Sequence, residues 1–214
     1  MIISPAKRKP VERAPQARRP RADALKNREA ILAAARHTFE AEGVLAPLDG
    51  IAVRAGVGNA TLYRNFPTRD DLLVAVIQSS FDDALVHGQA LSRMLEPGQA
   101  LAEWLVGLAW RLHIWHDLPH CLASAQTDPS TSLNDANRPM IEETRRLLRT
   151  AQDAHQAVVG ITAEEVFELV LALSWAIDRY GDTEAAARHR VTTGIAGVFV
   201  QFDISAKAPS KNGS

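Results

Sequence analysis

Two groups of side chains in this sequence have types and spacing that could do chemistry. In residues 59–66, NATLYRNF, Leu62 and Phe66 stand four apart among the polar Asn59, Thr61, Tyr63, Arg64 and Asn65. At helical spacing the two apolar residues share one side and leave the polar ones free. Those polar types suit duplex DNA. Arginine can bond guanine bidentately, asparagine can do so with adenine, and a threonine methyl can touch thymine. Hydroxyls on Thr61 and Tyr63 can instead reach phosphates, which fix register without reading bases. The second group is His113, His116, Asp117, His120 and Cys121. Two histidines three apart on a helix, with a cysteine nearby, could form a tetrahedral metal site. Leu118-Pro119 breaks the helix between them, so surface or pocket histidines are the preferred reading and no metal or cofactor is expected. As a redox sensor, Cys121 has only those imidazoles to lower its pKa.

A rod such as 59–66 acts only if other elements hold it. Ile31, Ala34, Ala35, Thr38 and Phe39 recur at three- and four-residue spacing and predict a helix from Asn27 to about Glu42, ended by Gly43. Pro47 suits the first turn of a second helix carrying Leu48, Ile51, Ala52 and Ala55. Gly56-Val57-Gly58 interrupts it ahead of the third, which Pro67 stops. Together, 47–66 have the layout of a helix-turn-helix. Thr68 is a plausible N-cap for a fourth helix, with Asp70 and Asp71 in its positive first turn. Further helices are predicted over about 99–116, 139–158, 163–180 and 183–202, with a short segment near Cys121. Thr162 and Glu165 form a capping-box pattern. No stretch alternates with period two and no repeat is visible, so the expected fold is all-α with no sheet.

Charge divides the chain. Residues 1–70 hold thirteen Lys/Arg against seven Asp/Glu, and residues 71–214 hold eleven against eighteen, which gives the net −1. A basic, proline-bearing segment over residues 1–25, with no apolar periodicity, is expected to be a disordered or extended arm. Such an arm can enter a minor groove beside a helix-turn-helix. Removing residues 1–24 should then weaken operator binding and flatten its salt dependence. One cysteine excludes an internal disulfide and Cys-rich zinc modules. No apolar run reaches the roughly 18–20 residues of a membrane span. A cytoplasmic protein with no membrane partner is expected.

Over residues 28–77, with ILAAARHTFEAEG and IAVRAGVGNATLYRNFPTRDDLL, the sequence resembles the DNA-binding domain of TetR-family transcriptional regulators. The resemblance implies a three-helix DNA-binding head over residues 26–85 and a helical body over 86–205 that dimerises and houses a ligand pocket; a loose tail covers 206–214. It places Asn59, Ala60, Thr61, Tyr63, Arg64 and Asn65 at recognition-helix contact positions. It puts Arg69 where the family often has a basic phosphate contact. Two positions depart from the family pattern. Asn65 stands where histidine is common, and Leu48 where a threonine often begins the second helix.

In the body, the last two helices are strongly apolar. Phe167, Val170, Leu171, Ser174, Val191, Gly194, Ile195 and Val198 are assigned to a homodimer interface, since a two-fold dimer reads two half-sites; the alternative is that the stripe only fills the core of its own chain. Trp104, Leu108, Arg111 and Trp115 share one helical face. With Phe81 and Cys121 they are the expected lining of an effector pocket for a flat or lipophilic molecule, although any one of them is as well placed to fill the core. The function expected is a repressor released from a palindromic double-stranded DNA operator by a small-molecule effector. The alternatives are a constitutive DNA binder and a metal-dependent helical enzyme built on the His113–Cys121 group. The latter leaves the recognition helix unexplained, and no nucleophile turn or carboxylate pair is visible, so no enzyme is expected.

Overall fold

The computed structural model describes residues 20–128 and 130–200. In chain order the helices are α1 (Pro20–Glu42), α2 (Leu48–Arg54), α3 (Asn59–Asn65), α4 (Arg69–Met94), α5 (Pro97–His113), α6 (Leu118–Gln126), α7 (Ser132–Asp153), α8 (Ala163–Tyr180) and α9 (Glu184–Gly194). A single 3₁₀ turn, Ala196–Val198, follows. The fold is all-α. Among the described residues the one β pairing is an isolated bridge between Ala157 and Phe199.

The helix starts follow local chemistry. Thr68 caps α4 reciprocally: its hydroxyl accepts from the Asp71 N–H at 3.1 Å, and the Asp71 carboxylate accepts from the Thr68 N–H at 3.0 Å. Thr162 and Glu165 do the same at α8, at 3.2 and 2.8 Å. Pro97 opens α5 two residues ahead of the predicted start, because the first helical N–H groups have no partner inside the helix and proline lacks only that group. The same tolerance lets α1 begin at Pro20. Residues 20–25, expected in an extended arm, are therefore helical. The rest of the arm and the tail at 206–214 lie outside the described residues.

Other boundaries moved for tertiary reasons. Pro47 stands one position before α2 as its N-cap. α5 stops at His113, because Asp117 takes a left-handed turn (φ 65°) before α6. α7 starts at Ser132 and passes through Pro139, which sits on the exposed side while Leu133, Asn137, Met140 and Thr144 continue the buried stripe. α9 stops at Gly194, short of residue 202. Beyond it the chain turns back, and Val158 N–H bonds the Val198 carbonyl at 2.9 Å while Val200 N–H bonds that of Gln156 at 3.1 Å. That return keeps Ile195, Val198 and Phe199 buried beyond the end of α9.

In the head, α1 packs on α2, α3 and α4 through Ile31, Ala35 and Phe39, each fully buried. The body stacks α4, α5, α7 and α8, with α5 touching α4, α6, α7, α8 and α9. α4 runs from the head into the body unbroken, so a domain boundary at residue 85 falls inside a helix. Trp104 is the central pin of the body. Its ring occupies the space that a Cβ on Gly88 would need, 2.9 Å away, and its indole N–H donates to the Thr144 hydroxyl at 2.9 Å.

Candidate nucleic-acid interface and effector groove

α3 is positioned by the turn before it. The Val57 N–H returns to the Ala52 carbonyl at 3.0 Å, and Gly56 supplies the positive φ of 69° that this return requires. Gly58 then begins α3, and its carbonyl accepts from the N–H groups of Thr61 and Leu62 at 2.8 and 3.2 Å. Leu62 and Phe66 anchor the rod in the head core at 1% and 2% exposure. The Arg28 guanidinium of α1 covers the Phe66 ring at 4.5 Å, a cation–π contact.

The other residues of α3 face away from that core. Asn59, Ala60, Tyr63 and Arg64 are exposed, and Thr61 and Asn65 are half-buried. Asn59 donates to Asp49 at 2.8 Å, Arg64 to the Thr61 hydroxyl at 3.1 Å, and Asn65 to the Thr61 carbonyl at 2.8 Å. The Asn65 amide and the Arg64 guanidinium are thus both held on their own helix, whereas Tyr63, 46% exposed, turns outward. Arg69 is placed differently. Its guanidinium donates to the Val44 and Ala46 carbonyls at 2.8 and 2.7 Å and so fastens the α1–α2 loop to the start of α4.

A seam joins head and body. The Val44 N–H bonds the His116 carbonyl at 3.1 Å. The Ser132 hydroxyl at the start of α7 donates to the Asp71 carboxylate. That bond, with those from Thr68, holds the Asp71 carboxyl below the usual carboxylate range. Beside it, a cleft of about 330 Å³ is lined by Arg69, Asp70, His120, Cys121 and Asp128, among others. Burial, then the nearby Asp71, pushes the Asp70 carboxyl up. Burial also pushes the Cys121 thiol up, reinforced by Asp70 and Asp117. A raised thiol is the opposite of what a redox sensor needs.

The histidine–cysteine group is split. His116 pairs with Asp178 of α8 at 2.5 Å, and His113 stacks on Trp110 with ring centres 4.0 Å apart. Both open on a cleft with Ile177, Asp178 and Asp182, whereas Cys121 faces the seam. Among the described residues no three His, Cys, Asp or Glu converge as a metal site.

The expected pocket residues are mostly core. Phe81, Trp104, Leu108 and Trp115 are at most 7% exposed, packed by the bundle that they fill. Arg111 is half-buried, and Cys121 lines the seam cleft instead. A larger groove, about 460 Å³, opens between α6 and α8. Asp117, Pro119, His120, Ala123, Glu168, Leu171, Ala172 and Trp175 line it. Of these, Leu171 was expected in the dimer interface, and Asp117 and His120 belong to the histidine–cysteine group; none was expected to line a pocket. The available signal was Trp175, the lone tryptophan outside the α5 region, which the structure leaves 51% exposed.

The expected dimer residues need a parallel correction. Phe167, Val170, Leu171, Ser174, Val191, Ile195 and Val198 are 0–3% exposed within a single chain, which already packs them. Their apolar stripe closes the body's own core. Gly194 alone of the set is exposed, and the Leu173 side chain packs over it, 2.7 Å from where a Cβ would stand.

Comparison with known proteins agrees with this architecture. The model of the bacterial regulatory proteins of the tetR family matches residues 31–76, which cover the core of the head. The model described as the C-terminal domain of SbtR-like transcriptional regulators matches residues 96–198, nearly the whole body. The chain belongs to the TetR family. An HTH-type transcriptional regulator of Staphylococcus aureus (strain USA300) is 40% identical over 68 residues, 31% of this chain and 37% of that one. The match therefore spans little more than a third of such curated relatives. The crystal structure of a TetR transcriptional regulator from Streptomyces coelicolor is 26% identical, with a TM-score of 0.53, covering 82% of this chain and 99% of that one. RolR, solved in complex with resorcinol, shares the fold at 16% identity and a TM-score of 0.59, over 85% of this chain and 91% of that one.

Proposed function

We propose that the protein is a homodimeric, sequence-specific DNA-binding repressor that leaves a palindromic operator when a small molecule occupies the α6–α8 groove. The observation that carries this reading is α3: a rod anchored by Leu62 and Phe66, with Asn59, Ala60, Tyr63 and Arg64 turned to solvent. An α-helix fits the major groove, and two such rods related by a two-fold axis would enter successive grooves about 34–36 Å apart. Arg64 and Asn59 are assigned to base edges, Tyr63 and Thr61 to phosphates. Asn65 and Arg69 would first have to release the carbonyls that they hold, and Asn59 and Arg64 the Asp49 carboxylate and the Thr61 hydroxyl. The basic residues ahead of α1 would add affinity that falls with salt. No helix of the described residues is long and apolar enough to cross a membrane, and the proposed site of action is the cytoplasm, beside the DNA.

Release is assigned to α6. Pro119, His120 and Ala123 line the groove, whereas His120, Cys121, Ser124 and Ala125 line the seam against the head. A ligand wedged against one flank of α6 would move the other. The bond from the Val44 N–H to the His116 carbonyl and the bond from Ser132 to Asp71 would carry that movement to the α1–α2 loop and to α4. The ligand need only favour the displaced conformer by a few kcal/mol to empty the operator.

The second chain is assigned to the outer side of α8, the end of α9 and the 3₁₀ turn, where Ala172, Ala176, Thr193 and Gly197 leave room for close approach. Selection of duplexes from a random DNA pool tests the reading as a whole. The expected result is an inverted repeat bound by the wild type and bound far more weakly by Arg64→Ala. Recovery of no common sequence would overturn it.

A further inference from the structure

We propose that the α6–α8 groove takes an organic cation: a bulky aromatic or aliphatic body bearing a positive charge. This rests on the effector reading above and names its chemistry. The groove carries two carboxylates, Asp117 from the turn before α6 and Glu168 from α8. Neither has a hydrogen-bond or ion-pair partner among the described residues, although most carboxylates around them are matched: Glu164 to Arg145, Asp178 to His116, Asp182 to Arg190. Among the described residues no lysine or arginine lines the groove, and α6 has none in its sequence, LPHCLASAQ. His120 is the one described lining residue able to carry positive charge.

The remaining wall is built for an apolar body. Pro119, Ala123, Leu171 and Ala172 make a floor of small and aliphatic groups, and Trp175 stands at its edge. An indole face attracts cations through its quadrupole, more strongly than the other aromatic side chains do. An anion would meet two unmatched carboxylates, a repulsion that an open groove screens but does not cancel. A neutral ligand would gain the floor and leave both charges unanswered. Only a cation uses the floor, the ring and the carboxylates together, and about 460 Å³ accommodates one of drug-like size.

Tetraphenylphosphonium and tetraphenylborate test the charge directly, because they share size and shape and differ in sign. Equilibrium dialysis of the full chain against each, in a sodium buffer, is expected to show the cation bound at least about tenfold more tightly. Glu168→Gln and Trp175→Leu should each remove most of that preference. Both side chains are exposed, so the variants should keep the wild-type helicity and unfolding midpoint. Equal or tighter binding of tetraphenylborate, no binding of the cation, or a preference that persists in both variants would overturn the assignment. A Trp175→Leu chain that binds the cation normally but no longer dimerises would also overturn it, by giving that ring to the subunit contact. Operator release is read separately. If the cation binds in a Glu168-dependent way while DNA occupancy is unchanged, the cation site stands and its role as the trigger falls.

Discussion

α3 and α8 both lie against a core along one stripe, but they use their remaining surface in opposite ways. α3 has seven residues, one of them buried, and leans on Phe66 just beyond its end. Nearly all the rest of it is polar and faces outward. α8 has eighteen residues, seven of them buried, and its outer side is a mixture of small residues, carboxylates and one tryptophan. A helix as short as α3 is not stable alone and depends on the head that grips it. That arrangement leaves its contact face rigid yet entirely available. α8 is long enough to close the core, wall a groove and offer a further face on one rod. One side of the molecule therefore has a single dedicated surface, and the other has competing claims on one helix.

The largest expected effect separates the inner stripe of the body from its outer face. Ile195→Asp buries a carboxylate at a position with no exposure. It should cost about 4 kcal/mol or more and abolish a cooperative thermal transition. A folded Ile195→Asp monomer would show that the residue lies at a subunit contact after all. Next comes the recognition face. Arg64→Ala should weaken binding to the selected operator by about 1–3 kcal/mol with circular dichroism unchanged, and Tyr63→Ala by less, as expected for loss of a phosphate contact. Unaltered affinity in both variants would remove α3 from the DNA. Smaller again is Gly197→Arg. A Cβ there meets nothing within 4 Å among the described residues, so the substitution should leave the fold of the single chain intact. Two-fold symmetry would set the two arginines against the same interface, and sedimentation should show the dimer weakened about tenfold or more. An unchanged mass at all concentrations would place the contact elsewhere.

These regions were unequally legible in the sequence. The head was readable because its signals are local. The spacing of Leu62 and Phe66, the glycine at position 56, and the Thr68–Asp71 cap each act within a few residues. The roles of Arg69 and Asn65 were not, since the carbonyls that hold them became visible only once the backbone was folded. For α8 and α9, apolar periodicity correctly marked helices and a buried face. It could not say whether the burial was within one chain or between two, because the two demand the same residues. The groove was missed for another reason. Asp117 and Glu168 lie far apart in sequence, and no pattern joins them. The run of tryptophans drew attention to α5 and the turn after it, where Trp104 and Trp115 turned out to be packing.

The smallest effect concerns the seam that couples the two regions. The bond from Ser132, then those from Thr68, holds the Asp71 carboxyl below its ordinary range. The folded chain thus favours the carboxylate more than the unfolded chain does. The resulting stabilisation is complete above the unfolded value of about 3.9 and disappears as pH falls through the lower folded value. Asp71 is half-buried and still reached by solvent, so its contribution should be about 1 kcal/mol or less. Asp71→Asn is expected to lower the unfolding midpoint slightly at neutral pH and to remove part of the decline seen in the wild type below about pH 4. If the bond also links head to body, the same variant should alter how strongly a groove ligand reduces operator affinity, since α7 would no longer be tied to the first turn of α4. A variant that loses the acid-dependent stability but keeps the full ligand response would reduce Ser132–Asp71 to a helix cap, and the route from groove to recognition helix would then run through His116 and Val44 alone.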